Sequence, residues 1–527
     1  MTHHRRRIAR IALAGLTGLF AAACGDGVDE GLGRTARGTI DGVPLHTVEP
    51  GTVPPESDGD DGDDGDDGVF TVDPDDPFAW FDVGDGIEEG QLEVPLDYDD
   101  PSGDTLLLTV ARHRAVDPDQ RIGTLLVNPG GPGFSGTGLA YGAESIYGQD
   151  VLDRFDIVGW SPRGTGYVQW VDCIDDYDPY FGIDSSPDTV AEFDDLVAAA
   201  EGFAEGCAEL SGDLLPHIGT ADSARDMNAI REALGEDTIS YFGFSYGSEL
   251  GAVWATMFPD TVRAVVLDGA ADPTVNYLQQ QIQQAAGNEA AFATFLTQCS
   301  AAPDCAFHND GNAEGAFDRL HAEIDANPVV VERDRTPVTQ GVLLTAVAES
   351  LYDASDWPRL EAALADLQDG DGAAILELYD QYYGYWGDGW DDALEAYFAI
   401  SCLDDPGATS VEELFSHEAE FVAAAPRFGR AWMAELVICA VWPEPQARYD
   451  TITGAGAGPI LVVGTTGDAA TPLESSRNMA RALEDGHLVV VNADQHTGYG
   501  VNRCVEVAVD GYLVDPEAPL ADEIDCQ

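Results

Sequence analysis

The sequence predicts an α/β fold in which a mostly parallel sheet, flanked by helices, is interrupted by a mainly helical insertion. Three observations carry this expectation. From about residue 76 to residue 272, short apolar runs alternate with helical patterns, the rhythm of a parallel sheet. Between about 273 and 445 the rhythm stops, and Gln, Ala, aromatic and acidic residues fill helical stretches such as WPRLEAALADLQ. From 446 to 527 it resumes, with the apolar runs of GPILVVGTTGDAATP and HLVVVNA each followed by a helix. The insertion is expected to cap the carboxyl edge of the sheet, where ligands bind in open α/β folds.

The elements follow in order. The opening MTHHRRRIARIALAGLTGLFAAAC has a basic start, an apolar run and small residues before Cys24. Residues 1–24 therefore read as an export signal, too short and wrongly flanked for a stable membrane span. The small residues before Cys24 look like a bacterial lipobox, in which the cysteine takes a lipid. Ala21 stands where such motifs usually carry Leu, so plain secretion is the alternative. Residues 25–75 include ESDGDDGDDGDDG, a self-repelling run that cannot bury a core and reads as an acidic tether. GQLEVPL and TLLLTVARHRA are early strands; GTLLVNPGGPG and FDIVGWSPRGTG are apolar strands ending in Gly/Pro loops. TADSARDMNAIREALG has helical spacing and a terminal glycine, followed by the strand TISYFGF, a helix after Ser245 and the strand VRAVVLDGA.

Composition narrows the function. The formal net charge is −72 over 527 residues, and all 24 basic residues are arginine. Such a surface excludes nucleic acid as a partner, because phosphate binding needs basic residues. It also attracts cationic ligands and repels anionic ones. No cofactor motif is present: a phosphate-binding role for the Gly-rich NPGGPG loop fails without a Walker lysine. No metal is expected, since HNDGNAEGAFDRLH, with Asp310, Asn312 and Gly315, places His321 where a calcium loop needs its bidentate acid. With Cys24 set aside, eight of the nine cysteines remain: Cys173, Cys207, Cys299, Cys305, Cys402, Cys439, Cys504 and Cys526. An even number in an exported chain implies four disulfides, with 105 connectivities open; pairing of sequence neighbours is the expectation.

Chemistry concentrates at strand ends. Gly243-Phe244-Ser245-Tyr246-Gly247 lies between a strand and a helix, the context of a nucleophile elbow, although a close-packed turn would use the same glycines. His496, in NADQHTGYG after the last core strand, is the candidate base; His487 starts that strand, at the wrong edge. Asp468, in GTTGDAATP, is the candidate acid that would hold the imidazole tautomer, with Asp268 of VLDGA as runner-up. The chain order Ser245, Asp468, His496 is that of the α/β-hydrolases, which favours the nucleophile over the plain turn. The loop NPGGPG should supply the Gly131 N–H to an oxyanion hole, with the N–H of Tyr246 as the second donor.

These pieces together resemble the tripeptidyl aminopeptidase-like (TAP-like) branch of the α/β-hydrolases, related to prolyl aminopeptidases. The resemblance runs from about Trp80 to Cys526 and rests on VPLDYDDP, NPGGPG, PRGTG, GFSYGSELG, VLDGAADP, GTTGDAATP and CVEVAVDGYLV. It implies an exported bacterial serine peptidase that removes short peptides from free N-termini, with Ser245, Asp468 and His496 as its triad. Some relatives act mainly as esterases. Ser161 departs from the pattern, since relatives commonly have Asp before the Pro-Arg of this loop. Glu249, one helical turn after Ser245, is expected to form a buried pair with Arg163 or else to shape substrate preference.

The leading function is therefore a serine exopeptidase acting on peptides. A carboxylesterase with the same triad is the alternative, and a noncatalytic surface-binding lipoprotein the remote one. A free α-ammonium group needs carboxylates if it is to be buried. Glu249, Asp404 and Asp405 are the candidates to meet it, while Trp386 and Trp390 either wall side-chain pockets or pack inside the cap. Contact with a membrane is expected only through the lipid on Cys24.

Overall fold

In the computed structural model, the described residues are 76–527 apart from Tyr167, Asp188, Asp388, Asp392, residues 443–448 and Asp450. Cys24, the signal, the tether and the boundary drawn at 445 lie outside them. Among the described residues ten strands form one sheet: β1 (Phe81–Gly84), β2 (Ile87–Pro95), β3 (Thr105–His113), β4 (Gly123–Asn128), β5 (Phe155–Trp160), β6 (Ile239–Phe244), β7 (Val262–Asp268), β8 (Ile460–Thr465), β9 (Gly486–Val491) and β10 (Glu523–Cys526). Their order is β1-β2-β3-β5-β4-β6-β7-β8-β9-β10. The pairings β1–β2, β2–β3 and β3–β5 are antiparallel, and every later one is parallel.

Strands β4, β5, β6 and β8 are buried at every position, which is why they read as unbroken apolar runs. One face packs on helices Thr220–Ala233, Tyr246–Met257 and Leu473–Ala482 through residues such as Met227, Trp254 and Met479. The other packs on Arg503–Val514 and on short helices after β4, through Leu139, Val151, Val505 and Tyr512. This is the α/β-hydrolase fold.

The helical cap forms an apolar cluster of its own, drawn from two segments of the chain. Residues between Val171 and Ile218, including the Val190–Ser211 helix, are buried together with residues between Leu278 and Trp442. The two segments are tied at the Glu395 carboxylate, which accepts the N–H groups of Cys173 (3.0 Å) and Ile174 (2.9 Å). The cysteines pair as sequence neighbours: Cys173–Cys207, Cys299–Cys305 and Cys402–Cys439 within the cap, and Cys504–Cys526 between the last helix and β10. Closing loops of this kind stabilises by about 2–4 kcal/mol each.

Arg163 does not pair with Glu249. Its guanidinium forks onto Asp226, Nε to Oδ2 at 2.8 Å and Nη2 to Oδ1 at 2.7 Å. The remaining N–H groups reach the carbonyls of Leu96 (3.0 Å), His217 (2.7 Å) and Pro95 (3.2 Å), so all five donors are used. The reason is position: Asp226 lies on the helix packed beside the loop after β5, and it also receives the Tyr98 hydroxyl at 2.7 Å. Ser161 Oγ bonds instead with Ser135 Oγ at 2.8 Å, so the loop obtains its carboxylate from another element. Because both side chains of the Arg163–Asp226 pair are fully buried, removing one strands a charge. Asp226→Ala is expected to destabilise the fold by ~3–5 kcal/mol, read as a lower urea midpoint; an unchanged midpoint would contradict this account of the pair.

Candidate active site

Ser245 stands on a strained turn between β6 and the Tyr246–Met257 helix, with φ 54° and ψ −125°. Its flanking glycines are required by close approach. A Cβ on Gly243 would lie 2.1 Å from the Gly247 carbonyl oxygen, and one on Gly247 would lie 2.8 Å from Asn128 Oδ1. The Ser245 N–H donates to the Asp268 carbonyl at 2.8 Å, anchoring the elbow to β7.

His496 follows β9, in a loop that the cap holds from above. Its N–H donates to the Tyr352 carbonyl (2.8 Å), and Ala354 N–H donates to the Asp494 carbonyl (3.1 Å). Its Nδ1 lies 2.8 and 2.9 Å from the two carboxylate oxygens of Asp468, which follows β8. The same carboxylate accepts the N–H groups of Ala470 (2.9 Å) and Thr471 (2.7 Å), which fix its orientation. An acceptor at this distance places the ring proton on Nδ1 and leaves Nε2 with its lone pair. Nε2 is buried and has no hydrogen-bond partner among the described residues, yet His496 and Ser245 line one cavity. Burial opposes a charge on the ring, but the Asp468 carboxylate outweighs it and holds the imidazole pKa above 6.5.

Asp268, the runner-up acid, takes a different place. Its buried carboxylate accepts the N–H groups of Gly498 (2.7 Å) and Tyr499 (2.8 Å), bracing the loop beyond His496 rather than its ring. Burial pushes this carboxyl up to about 6 despite those two bonds.

Gly131 and Tyr246 both line the cavity beside Ser245. The Gly-rich loop lies directly on the elbow: a Cβ on Gly130 would come 2.6 Å from the Phe244 carbonyl oxygen. The Tyr246 N–H belongs to the first turn of its helix, where backbone donors have no intrahelical acceptor.

The cavity has two lobes that meet at Ser245. The first contains Glu249, Asp404 and Asp405, so all three acids singled out from the sequence face it. Each also holds local structure. Asp404 accepts the Thr220 N–H at 3.0 Å, Asp405 accepts the Tyr277 N–H at 3.1 Å, and Glu249 accepts the Tyr449 hydroxyl. The second lobe is walled by Phe134, Tyr352, Tyr382, Trp386 and Tyr397 and contains Glu349 and Glu435. Tyr352, Glu349 and Glu435 carry no sequence signal, because neither spacing nor motif distinguishes them from other cap residues. Trp386 lines this lobe, whereas Trp390 packs in the cap, stacked on Tyr177 with ring centroids 4.9 Å apart. Asn312, from the calcium-like stretch, caps the Ala313–Ala326 helix through the Gly315 N–H at 3.2 Å.

Residues 425–526 match the model of the TAP-like protein family (Abhydrolase_4). Over 82% of its length the chain is 32% identical to the serine protease Hip1 of Mycobacterium tuberculosis, covering 85% of that protein. The chain belongs to the TAP-like family of α/β-hydrolases. It is a serine hydrolase. Two further relatives are similarly extensive: carboxylesterase B of M. tuberculosis, 36% identical over 81% of this chain and 84% of its own, and the tripeptidyl aminopeptidase of Streptomyces lividans, 31% identical over 84% of each.

Proposed function

We propose that this hydrolase is an exported aminopeptidase that releases short peptides, tripeptidyl in type, from free N-termini. The observation that carries the reading is the acid-lined lobe opening onto Ser245, with Glu249, Asp404 and Asp405 on its wall beneath the cap. A substrate ammonium buried there meets negative charge, and the capped cavity limits how much chain precedes the scissile bond. In the proposed reaction Ser245 Oγ attacks the peptide carbonyl and gives its proton to His496 Nε2, while Asp468 stabilises the imidazolium. The N–H groups of Gly131 and Tyr246 receive the oxyanion. Collapse expels the leaving amine, protonated by His496, and water then hydrolyses the acyl-enzyme by the same route.

Export is part of the proposal. The basic-apolar start, the eight paired cysteines and the acidic surface suit an oxidising exterior, with Cys24 as lipid anchor and residues 25–75 as tether. The proposed core comprises 76–170, 219–272 and 446–527, and the proposed cap 273–445 together with the Val171–Ile218 segment that packs into it.

The test compares a chromogenic tripeptide amide with its N-acetylated form. Acetylation removes the positive charge and leaves a carboxylate unpaired, so kcat/KM should fall by about 10²-fold or more. Equal rates, with faster cleavage of short-chain esters, would move the protein to the carboxylesterases.

A further inference from the structure

We propose that Glu349 and Glu435 form a second charged subsite, which takes the basic side chain of a lysine or arginine immediately after the scissile bond. The inference rests on the aminopeptidase reading and adds a preference on the leaving side. The leaving amine must collect its proton from His496 Nε2, so the residue that carries it sits on the histidine side of Ser245. His496 lines the aromatic lobe, the same lobe that holds Glu349 and Glu435.

The two glutamates come from separate cap helices, Gln340–Ser350 and Gly429–Glu435. Glu349 Oε1 accepts the side-chain N–H of Gln381 at 2.6 Å, and Gln381 in turn accepts from Arg359 at 2.6 Å. Glu435 has the Tyr383 hydroxyl at 3.5 Å, a long contact for a carboxylate. Among the described residues no arginine lines this lobe, and its ionisable lining besides the tyrosines is Glu349, Asp391, Glu435 and His496. Asp391 is occupied at the start of a helix, where it accepts the Ala393 N–H at 3.1 Å. Burial pushes both carboxyls up to about 7, an effect that Gln381 and the Arg359 charge behind it only partly offset at Glu349 and that no cation offsets at Glu435 among the described residues.

A lysine or arginine side chain supplies what the lobe lacks. Its aliphatic stem can lie along Phe134, Tyr352 and Trp386, and its charged head gains a carboxylate of the lobe and the aromatic faces. An apolar side chain of equal length would gain the walls alone and leave the carboxyls unmatched.

The experiment uses free-amine pentapeptides Ala-Ala-Ala-X-Ala with X as lysine, norleucine or glutamate, the products being identified by mass. Lysine should exceed norleucine by about tenfold in kcat/KM, with glutamate below both, and the dipeptide Lys-Ala should inhibit more strongly than Nle-Ala. In Glu349→Gln/Glu435→Gln the lysine-to-norleucine ratio should fall toward one, with fluorophosphonate labelling of Ser245 reporting an intact fold. A ratio near one in the unmodified enzyme overturns the subsite while leaving the aminopeptidase reading standing. So does a ratio that survives the double substitution, or a lysine preference found only at the third residue. Failure to cleave any of these peptides, with esters still hydrolysed, overturns both.

Discussion

Ser245→Ala is expected to abolish turnover and to end labelling by a fluorophosphonate probe. Loss of the nucleophile in a related triad costs on the order of 10⁶ in kcat, the largest effect foreseen for any single substitution here. The fold should persist. The Ser245 side chain makes no capping hydrogen bond to its helix, and the strained backbone is held by Gly243, Gly247 and the bond to the Asp268 carbonyl. The check is probe labelling beside a urea melt of the same preparation. Labelling that persists in a folded variant would put the nucleophile elsewhere.

Asp468→Asn should cost about 10⁴ in kcat, the loss seen when a triad aspartate becomes an amide. The Ala470 and Thr471 N–H groups hold the Oδ1 side of residue 468 as an acceptor. The amide nitrogen would then face His496 Nδ1 and force the ring proton onto Nε2, where the base must be free. The pH profile supplies an independent reading. In the proposed mechanism His496 acts as the neutral base, so kcat/KM should fall as pH drops through its pKa. That pKa lies above 6.5 because the Asp468 carboxylate favours the charged ring over the opposing effect of burial. The acid limb should therefore sit above 6.5 in the native enzyme and move down in Asp468→Asn. Asp268→Asn leaves the ring contact in place and should cost far less. The reverse ranking of the two asparagine variants would show the acid to be misassigned.

How much of this was legible in the sequence depends on the strength of the local signal. Strands β4 to β9 announce themselves because burial on both faces demands continuous apolar runs. The elbow and the loops carrying Asp468 and His496 are marked by glycines and by position at strand ends. The short edge strands β1 and β10 escaped notice. Phe81–Gly84 is exposed throughout and Glu523–Cys526 is largely polar, so neither carries a core pattern. Arg163 was legible as a buried arginine, but its partner was not. Asp226 lies 63 residues away, brought close only by the packing of its helix. The two-part cap was half visible. Residues 273–445 broke the α/β rhythm, whereas the Val171–Ile218 segment fell within the 76–272 core range, and only tertiary packing puts its apolar side chains in the cap core. Asp404 and Asp405 stood out as acids of the cap able to meet an ammonium, but that they also accept the Thr220 and Tyr277 N–H groups depends on tertiary contacts.

The central claim is that Ser245 takes the acyl group of a peptide whose free ammonium is held in the acidic lobe. Its most direct test is a tripeptide diphenyl phosphonate, prepared with a free and with an acetylated amine, since phosphorus is attacked as the carbonyl would be and the adduct is stable. Second-order inactivation rates and the mass-mapped site of attachment are measured for both. The account predicts attachment at Ser245 alone, with the free-amine form faster by about 10²-fold. Attachment at another residue, or equal rates for the two forms, would contradict it.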